Sequence, residues 1–221
     1  MLNNSAKEYS INFMGQNLIL SLEKAIYWKE REALILSDLH LGKAGHFRKS
    51  GIAIPKTVDD VNLYRLDALV KKFAPKIILF LGDLFHSHKN TEWKTFVEWR
   101  QKHQQIEMHL AIGNHDFYSP HEYHEIGLTT SSLIEAPPFL LLHDEMEAGI
   151  EIDAYPISGH IHPSVRLVGK GRQVKKIPCF YFGKSGALLP AFGNFTGTHT
   201  IKPEANELVF GIVEDQITMI S

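Results

Sequence analysis

"ALILSDLH" (Ala33–His40) is a short apolar run that ends in Asp-x-His. Two later stretches repeat the plan: "KIILFLGDLFH" (Lys76–His86) and "IEMHLAIGNHD" (Ile106–Asp116). Continuous apolar runs of this length suit strands buried on both faces. Helical patterns separate them. Between Thr57 and Phe73, the residues Leu66, Leu69, Val70 and Phe73 have the 0, 3, 4, 7 spacing of one helix face. Thr57 and Asp60 are placed to act as N-cap and N3 partner. Between Asn90 and His103, Trp93, Phe96 and Val97 make a shorter stripe. Strand–helix–strand alternation predicts an α/β unit with a largely parallel centre.

Outward from this centre the pattern changes. Upstream, Tyr9–Leu22 has mixed alternation around "MGQN", which reads as a hairpin. Downstream, "PFLLLHDE" (Pro138–Glu145), "YPISGH" (Tyr155–His160), "IPCFYFG" (Ile177–Gly183) and the closing "ELVFGIVEDQITMIS" read as strands with short turns, "EDQ" being one of them. The expectation is one α/β domain over residues 1–221, a two-sheet sandwich with helices outside.

Bulk properties narrow the function. The 221 residues are 44% hydrophobic and 22% charged, ordinary for a soluble globular chain. A formal net charge of −2 argues against coating nucleic acid by bulk charge, and leaves room for a local basic patch. The single cysteine, Cys179, excludes an internal disulfide and a thiolate metal cage, and fits a reducing cytoplasm. No apolar run approaches the roughly 18 residues of a membrane helix, so no membrane partner is expected.

The 13 histidines gather beside Asp, Asn and Gly. In open α/β sheets, ligands bind beyond the carboxyl ends of the strands. There the runs deliver Asp38 and His40, then Asp83 and His86, then Asn114, His115 and Asp116, then His143, then His160 and His162. A lone Gly-Asp is an ordinary turn. Five elements that all end in nitrogen and oxygen donors point to a metal centre. Mixed N/O ligation suits manganese, iron, zinc or nickel. In an extended segment His160 and His162 would point to one face.

Taken together, "SDLHLG…GDLFH…GNHD…LLLH…GHIHP" resembles the calcineurin-like metallophosphoesterases, a family of dinuclear metal phosphatases, phosphodiesterases and nucleases. The resemblance implies a four-layer architecture, two sheets flanked by helices. It implies one divalent cation held by Asp38, His40, Asp83 and His162. A second would be held by Asp83, Asn114, His143 and His160, with Asp83 bridging and a metal-bridging hydroxide as nucleophile. By the same resemblance His115 is a non-ligand histidine that stabilises the transferring phosphoryl charge and protonates the leaving oxygen, with Asp38 near enough to orient it. Asp116 reads as a cap of the turn.

More local sequence narrows the resemblance. "DLHLGKAGHFRKSGIAIP", "GHIHPSVRL" and "PCFYFGKSGALLPAFGNFTGTH" are similar to the ligase-associated DNA damage response endonucleases, the PdeM-like phosphoesterases. That implies a Mn²⁺-dependent phosphodiesterase acting on single-stranded DNA, with a DNA ligase, a helicase and an exonuclease as associates. Two basic stretches could contact phosphates: Lys43, Arg48 and Lys49, and the run from Arg166 to Lys176. Arg48, Arg166 and His86 are the candidate substrate contacts. Two alternatives stand beside this reading: a phosphodiesterase for small nucleotides such as cyclic nucleotides, and a non-catalytic scaffold on the same fold.

Overall fold

The three apolar runs become neighbouring parallel strands. They are seen in a computed structural model that describes residues 7–43, 57–86, 91–144, 154–169, 173–194 and 196–221, with the backbone alone at 57–60 and 91. Strands β4 (Ala33–Leu36), β5 (Ile77–Leu81) and β6 (Glu107–Ala111) pair in parallel, and β7 (Thr129–Ser131) extends the series. On the other side β1 (Glu8–Phe13), β2 (Gln16–Ser21) and β3 (Ala25–Trp28) add antiparallel strands, giving a seven-stranded sheet in chain order. Met14 and Gly15 take φ of 51° and 76°, the left-handed pair that closes a two-residue hairpin at "MGQN".

Among the described residues three α-helices lie in the crossovers: α1 (Thr57–Phe73), α2 (Thr91–Lys102) and α3 (Pro120–Glu125). The first two fall where the apolar spacing predicts them. The expected Thr57–Asp60 cap involves side chains outside the described ones. The third was not read from the sequence, although Ser119 and Glu122 form a reciprocal capping box at its start. Leu66, Leu69 and Phe96 from the helices bury against Leu36, Phe80 and Leu110 of the sheet.

The second sheet comprises β8 (Leu133–Ala136), β9 (Phe139–Leu142), β10 (Tyr155–Ser158), β11 (Pro163–Val168), β12 (Val174–Phe182), β13 (Ala187–Leu188), β14 (His199–Thr200), β15 (Leu208–Val213) and β16 (Gln216–Met219). It is not a simple series of hairpins. β10 runs parallel to both β9 and β13. Parallel neighbours leave no local turn signature, so packing decides them. The "EDQ" hairpin between β15 and β16 is present.

The sheets face each other across Trp28, Ile35 and Leu81 on one side and Phe139, Phe180 and Phe210 on the other. The protein is a two-sheet α/β sandwich, as expected. The helices lie on the outer face of the first sheet. Among the described residues the outer face of the second carries only a small apolar cluster, Val165, Ile177, Cys179 and Val209. None of the described helices is long and apolar enough to cross a membrane.

Two backbone bonds stitch the sheets together at one end. Phe192 N–H donates to Ser37 O and Gly193 N–H to Asp38 O, each at 2.9 Å. The histidine-bearing loops of the second sheet emerge at that same end.

Candidate metal centre

The strand ends deliver their side chains by a sharp change of backbone hand. Asp38, His40, Asp83, His160 and His162 all take positive φ, between 47° and 57°. This conformation is uncommon outside glycine and costs on the order of 1 kcal/mol or more at each position. It is held by bonds that continue the sheet past its strands. Asp38 N–H donates to Gly82 O at 3.1 Å, and His40 N–H to Asp83 O at 2.9 Å. The first-sheet loops therefore turn their polar groups into the cleft as a single unit.

The resulting donors are buried and face one another. Asp38 is 0%, His40 4%, Asp83 3% and His143 2% exposed. His162 Nε2 lies 3.1 Å from Asp38 Oδ1, yet neither atom makes a hydrogen bond. The reason lies on the other side of the ring, where His162 Nδ1 is 3.0 Å from Gly197 O and so carries the proton. In the neutral tautomer Nε2 then turns a lone pair toward a carboxylate oxygen. That arrangement is repulsive alone and fits a cation.

The same logic recurs at His143. Its Nδ1 is 3.0 Å from Leu81 O and donates to it. Its Nε2 is left as an acceptor, 3.4 Å from Asp83 Oδ1 and 3.1 Å from His160 Nδ1. His160 in turn has Nε2 3.6 Å from Asp144 Oδ2. Asp83 turns its other oxygen, Oδ2, toward His40 Nε2 at 3.6 Å. Two groups of candidate ligands result, Asp38–His40–His162 and Asp38–Asp83–His143, each with its ligand atoms within 4.8 Å of one another.

The electrostatics agree with this arrangement. Burial, helped by the nearby charge of Lys43, pushes the His40 imidazole down to about 3, so it is neutral and able to ligate at pH 7. Asp116 behaves differently. Burial and the charge of Asp83 lift its carboxyl to about 6, against bonds from the Gly113 and Phe85 backbones. It also accepts from Leu84 N–H and the Tyr123 hydroxyl, so it ties the two loops together.

The remaining sequence-derived residues fall into three groups. His115 is at the cluster: its N–H donates to Asp83 Oδ1 at 2.9 Å, and its ring centre lies 5.5 Å from that of His40. His86 stacks on His115 at 5.2 Å and lies 5.6 Å from His40. Asn114 is exposed, and no hydrogen bond or ion pair among the described residues joins it to the cluster. Arg166 is exposed on β11 opposite Lys176. Arg48 and Lys49 lie outside the described residues, as do 145–153 and 170–172.

The pair in "GHIH" is not extended. Both histidines are left-handed, and they diverge, His160 toward His143 and Asp144, His162 toward Asp38 and Gly197. Gly159 is required there, because a Cβ would sit 2.5 Å from Asp38 Oδ2. Sequence reasoning missed Asp144 as a partner of His160. Its only signal is that it directly follows His143.

A sandwich of this topology with converging Asp and His donors is a metallophosphoesterase-type hydrolase. The chain belongs to the calcineurin-like phosphoesterase family, whose model matches residues 33–185. Among solved structures it is similar to the Pseudomonas putida nuclease MPE, at 28% identity and a TM-score of 0.80, covering 96% of this chain and 100% of that one. It also matches the phosphoesterase Yfce from E. coli at 13% identity and a TM-score of 0.42, covering 86% and 96% of the two chains. A third match is AQ665 of Aquifex aeolicus, described as of unknown function, at 20% identity and a TM-score of 0.42, covering 59% and 78%. No curated protein sequence matches.

Proposed function

We propose that the protein is a divalent-metal-dependent phosphodiesterase that cuts single-stranded DNA. The observation that carries this reading is the facing pair His162 Nε2 and Asp38 Oδ1, buried, 3.1 Å apart and neither of them in a hydrogen bond. A phosphodiester rather than a monoester is supported by likeness over the whole chain to a nuclease.

Asp38, His40, Asp83 and His162 would hold one cation, and Asp83, Asn114, His143 and His160 a second. Asp83 is suited to the shared position because its two oxygens face different imidazoles. Bound there, two cations supply Lewis acidity and a water of lowered pKa. Manganese is the expected native ion.

His115 is the proton donor to the leaving oxygen. Its backbone is fixed by Asp83, while its ring stays at the mouth of the cluster beside His86. His86 faces the substrate there. Arg48 and Arg166 are proposed to contact flanking phosphates. Association with a DNA ligase, helicase or exonuclease rests on the subfamily resemblance and is tested by co-purification.

The test is hydrolysis of bis(p-nitrophenyl) phosphate and of circular single-stranded DNA with Mn²⁺. Cleavage of both, abolished by chelator, supports the proposal. A much higher kcat/KM on cyclic nucleotides than on DNA would favour the small-nucleotide reading. Failure on every phosphodiester would leave a non-catalytic scaffold.

A further inference from the structure

A small pocket of about 120 Å³ opens beside His162. Ligand sites for whole small molecules run to about 300–1,000 Å³. This one has room for a single compact group. Its polar lining is Lys24, Asn194, Thr196 and Thr198 with His162, and no carboxylate among the described residues lines it. Among the described residues it is therefore a small polar pocket whose cationic lining residue is Lys24.

Lys24 reaches the pocket from the turn between β2 and β3, where it takes a φ of 64°. The turn is anchored. Arg65 of α1 donates through Nε to the Glu23 carboxylate, through Nη2 to Glu23 O at 2.9 Å, and through Nη1 to Phe192 O at 2.8 Å. Its guanidinium also covers the Phe192 ring at 4.3 Å. Arg65 thus takes the neighbouring acid and ties the turn to the 190s loop. No hydrogen bond or ion pair among the described residues engages the Lys24 ammonium. It is half-buried, cationic and left over.

The 190s loop is held as firmly on its other side. Gly193 N–H donates to Asp38 O, and a Cβ at Gly193 would lie 2.4 Å from Leu39 O. Gly197 O fixes the ring of His162. The pocket and the metal cluster therefore share a wall, His162, and share the backbone that shapes it.

We infer that Lys24, with Asn194, Thr196 and Thr198, binds the phosphate that neighbours the scissile one in a single-stranded substrate. The inference rests on the phosphodiesterase reading above. One lysine, neutral polar side chains, no carboxylate among the described lining residues and room for one compact group suit a phosphate better than a base. Burial lowers Lys24 to about 8, with the charge of Arg65 acting in the same direction. A bound anion would offset that cost.

The test compares kcat/KM on an oligothymidylate with that on bis(p-nitrophenyl) phosphate, which has no second phosphate. In Lys24→Gln the ratio is expected to fall about tenfold, mainly through KM, and Lys24→Arg to restore most of it. The slope of log(kcat/KM) against log salt on the oligonucleotide should flatten by about 0.7, the loss of one phosphate contact on a single strand. Thr198→Glu, at an exposed position that leaves the fold intact, should lower the same ratio. An unchanged ratio and slope, or equal losses on both substrates, overturns the pocket assignment. If wild-type protein hydrolyses neither substrate, the function reading fails by itself. The pocket is then judged by anisotropy of a labelled oligothymidylate on chelated protein. Weaker, less salt-sensitive binding by Lys24→Gln supports it, and identical binding overturns it.

Discussion

The two sheets supply the cluster in different ways. The first contributes acids and His40 from strand ends that turn left-handed and stay cross-bonded, with Asp38, His40 and Asp83 all buried. The second contributes His143, His160 and His162, oriented from behind by Leu81 O, Asp144 and Gly197 O. The acids and His40 are held by cross-bonded backbone; the second sheet's imidazoles, left-handed too at His160 and His162, are also oriented through their far ring atoms at His143 and His162. Charge is held where nothing can relax, and donors of adjustable reach are brought to it from the other sheet. The difference predicts that damage on the first sheet abolishes the site, while damage on the second weakens it in steps.

The largest effect is expected from Asp83→Ala. It removes the carboxylate that faces His40 and His143 and holds the His115 backbone. Phosphodiesterase activity should fall at least ~10²-fold, the scale for losing a preorganised electrostatic group. Metal content should fall with it. Retained activity would remove Asp83 from the shared role.

Next come the two histidines of "GHIH". His160→Ala and His162→Ala should each cut metal content, and each should spare a different cation. Titrating Mn²⁺ into the two variants and following its paramagnetic resonance checks this. Loss of the same cation in both variants would contradict the divergence seen at this turn.

A smaller effect is expected behind His160. Asp144→Asn should weaken metal affinity by about tenfold, the low end for an outer partner of a ligating histidine. Calorimetric titration of the metal reads it directly. An unchanged affinity would make the 3.6 Å approach incidental.

The smallest is a pH effect on metal-free protein. The pKa of folded His40 is depressed to about 3, while the unfolded chain's histidine titrates near 6.5. Between those values the unfolded state binds the extra proton, so stability drops as pH falls from about 6.5 toward 3. Asp116, raised to about 6, acts in the opposite direction over its own window. The wild type is therefore compared with His40→Gln. The fall in Tm from pH 7 to pH 5 should be smaller in the variant. Equal falls would contradict the buried, neutral imidazole.

Much of the site was legible because its chemistry sits at strand ends, where a buried apolar run stops at a polar group. Asp38, His40, Asp83, His143, His160 and His162 all follow such runs, and the structure gathers them. The parallel pairing of β10 with β9 and β13 was not legible, because no turn connects those neighbours. The left-handed hand of five of the six residues was not legible either. Asp and His carry no conformational signal of glycine's kind, and tertiary bonds impose that hand. Lys24 lies outside every motif and far from the cluster in sequence. The Arg65 anchor ties its turn to the loop beside His162.

The proposed function requires this cluster to hold divalent cations and to hydrolyse phosphodiesters with them. Elemental analysis of the purified protein, paired with hydrolysis of single-stranded DNA before chelation, after it and after Mn²⁺ is restored, tests it most directly. The expected result is about two cations per chain, with activity lost on their removal and regained on their return. Full activity in protein free of metal would contradict the account.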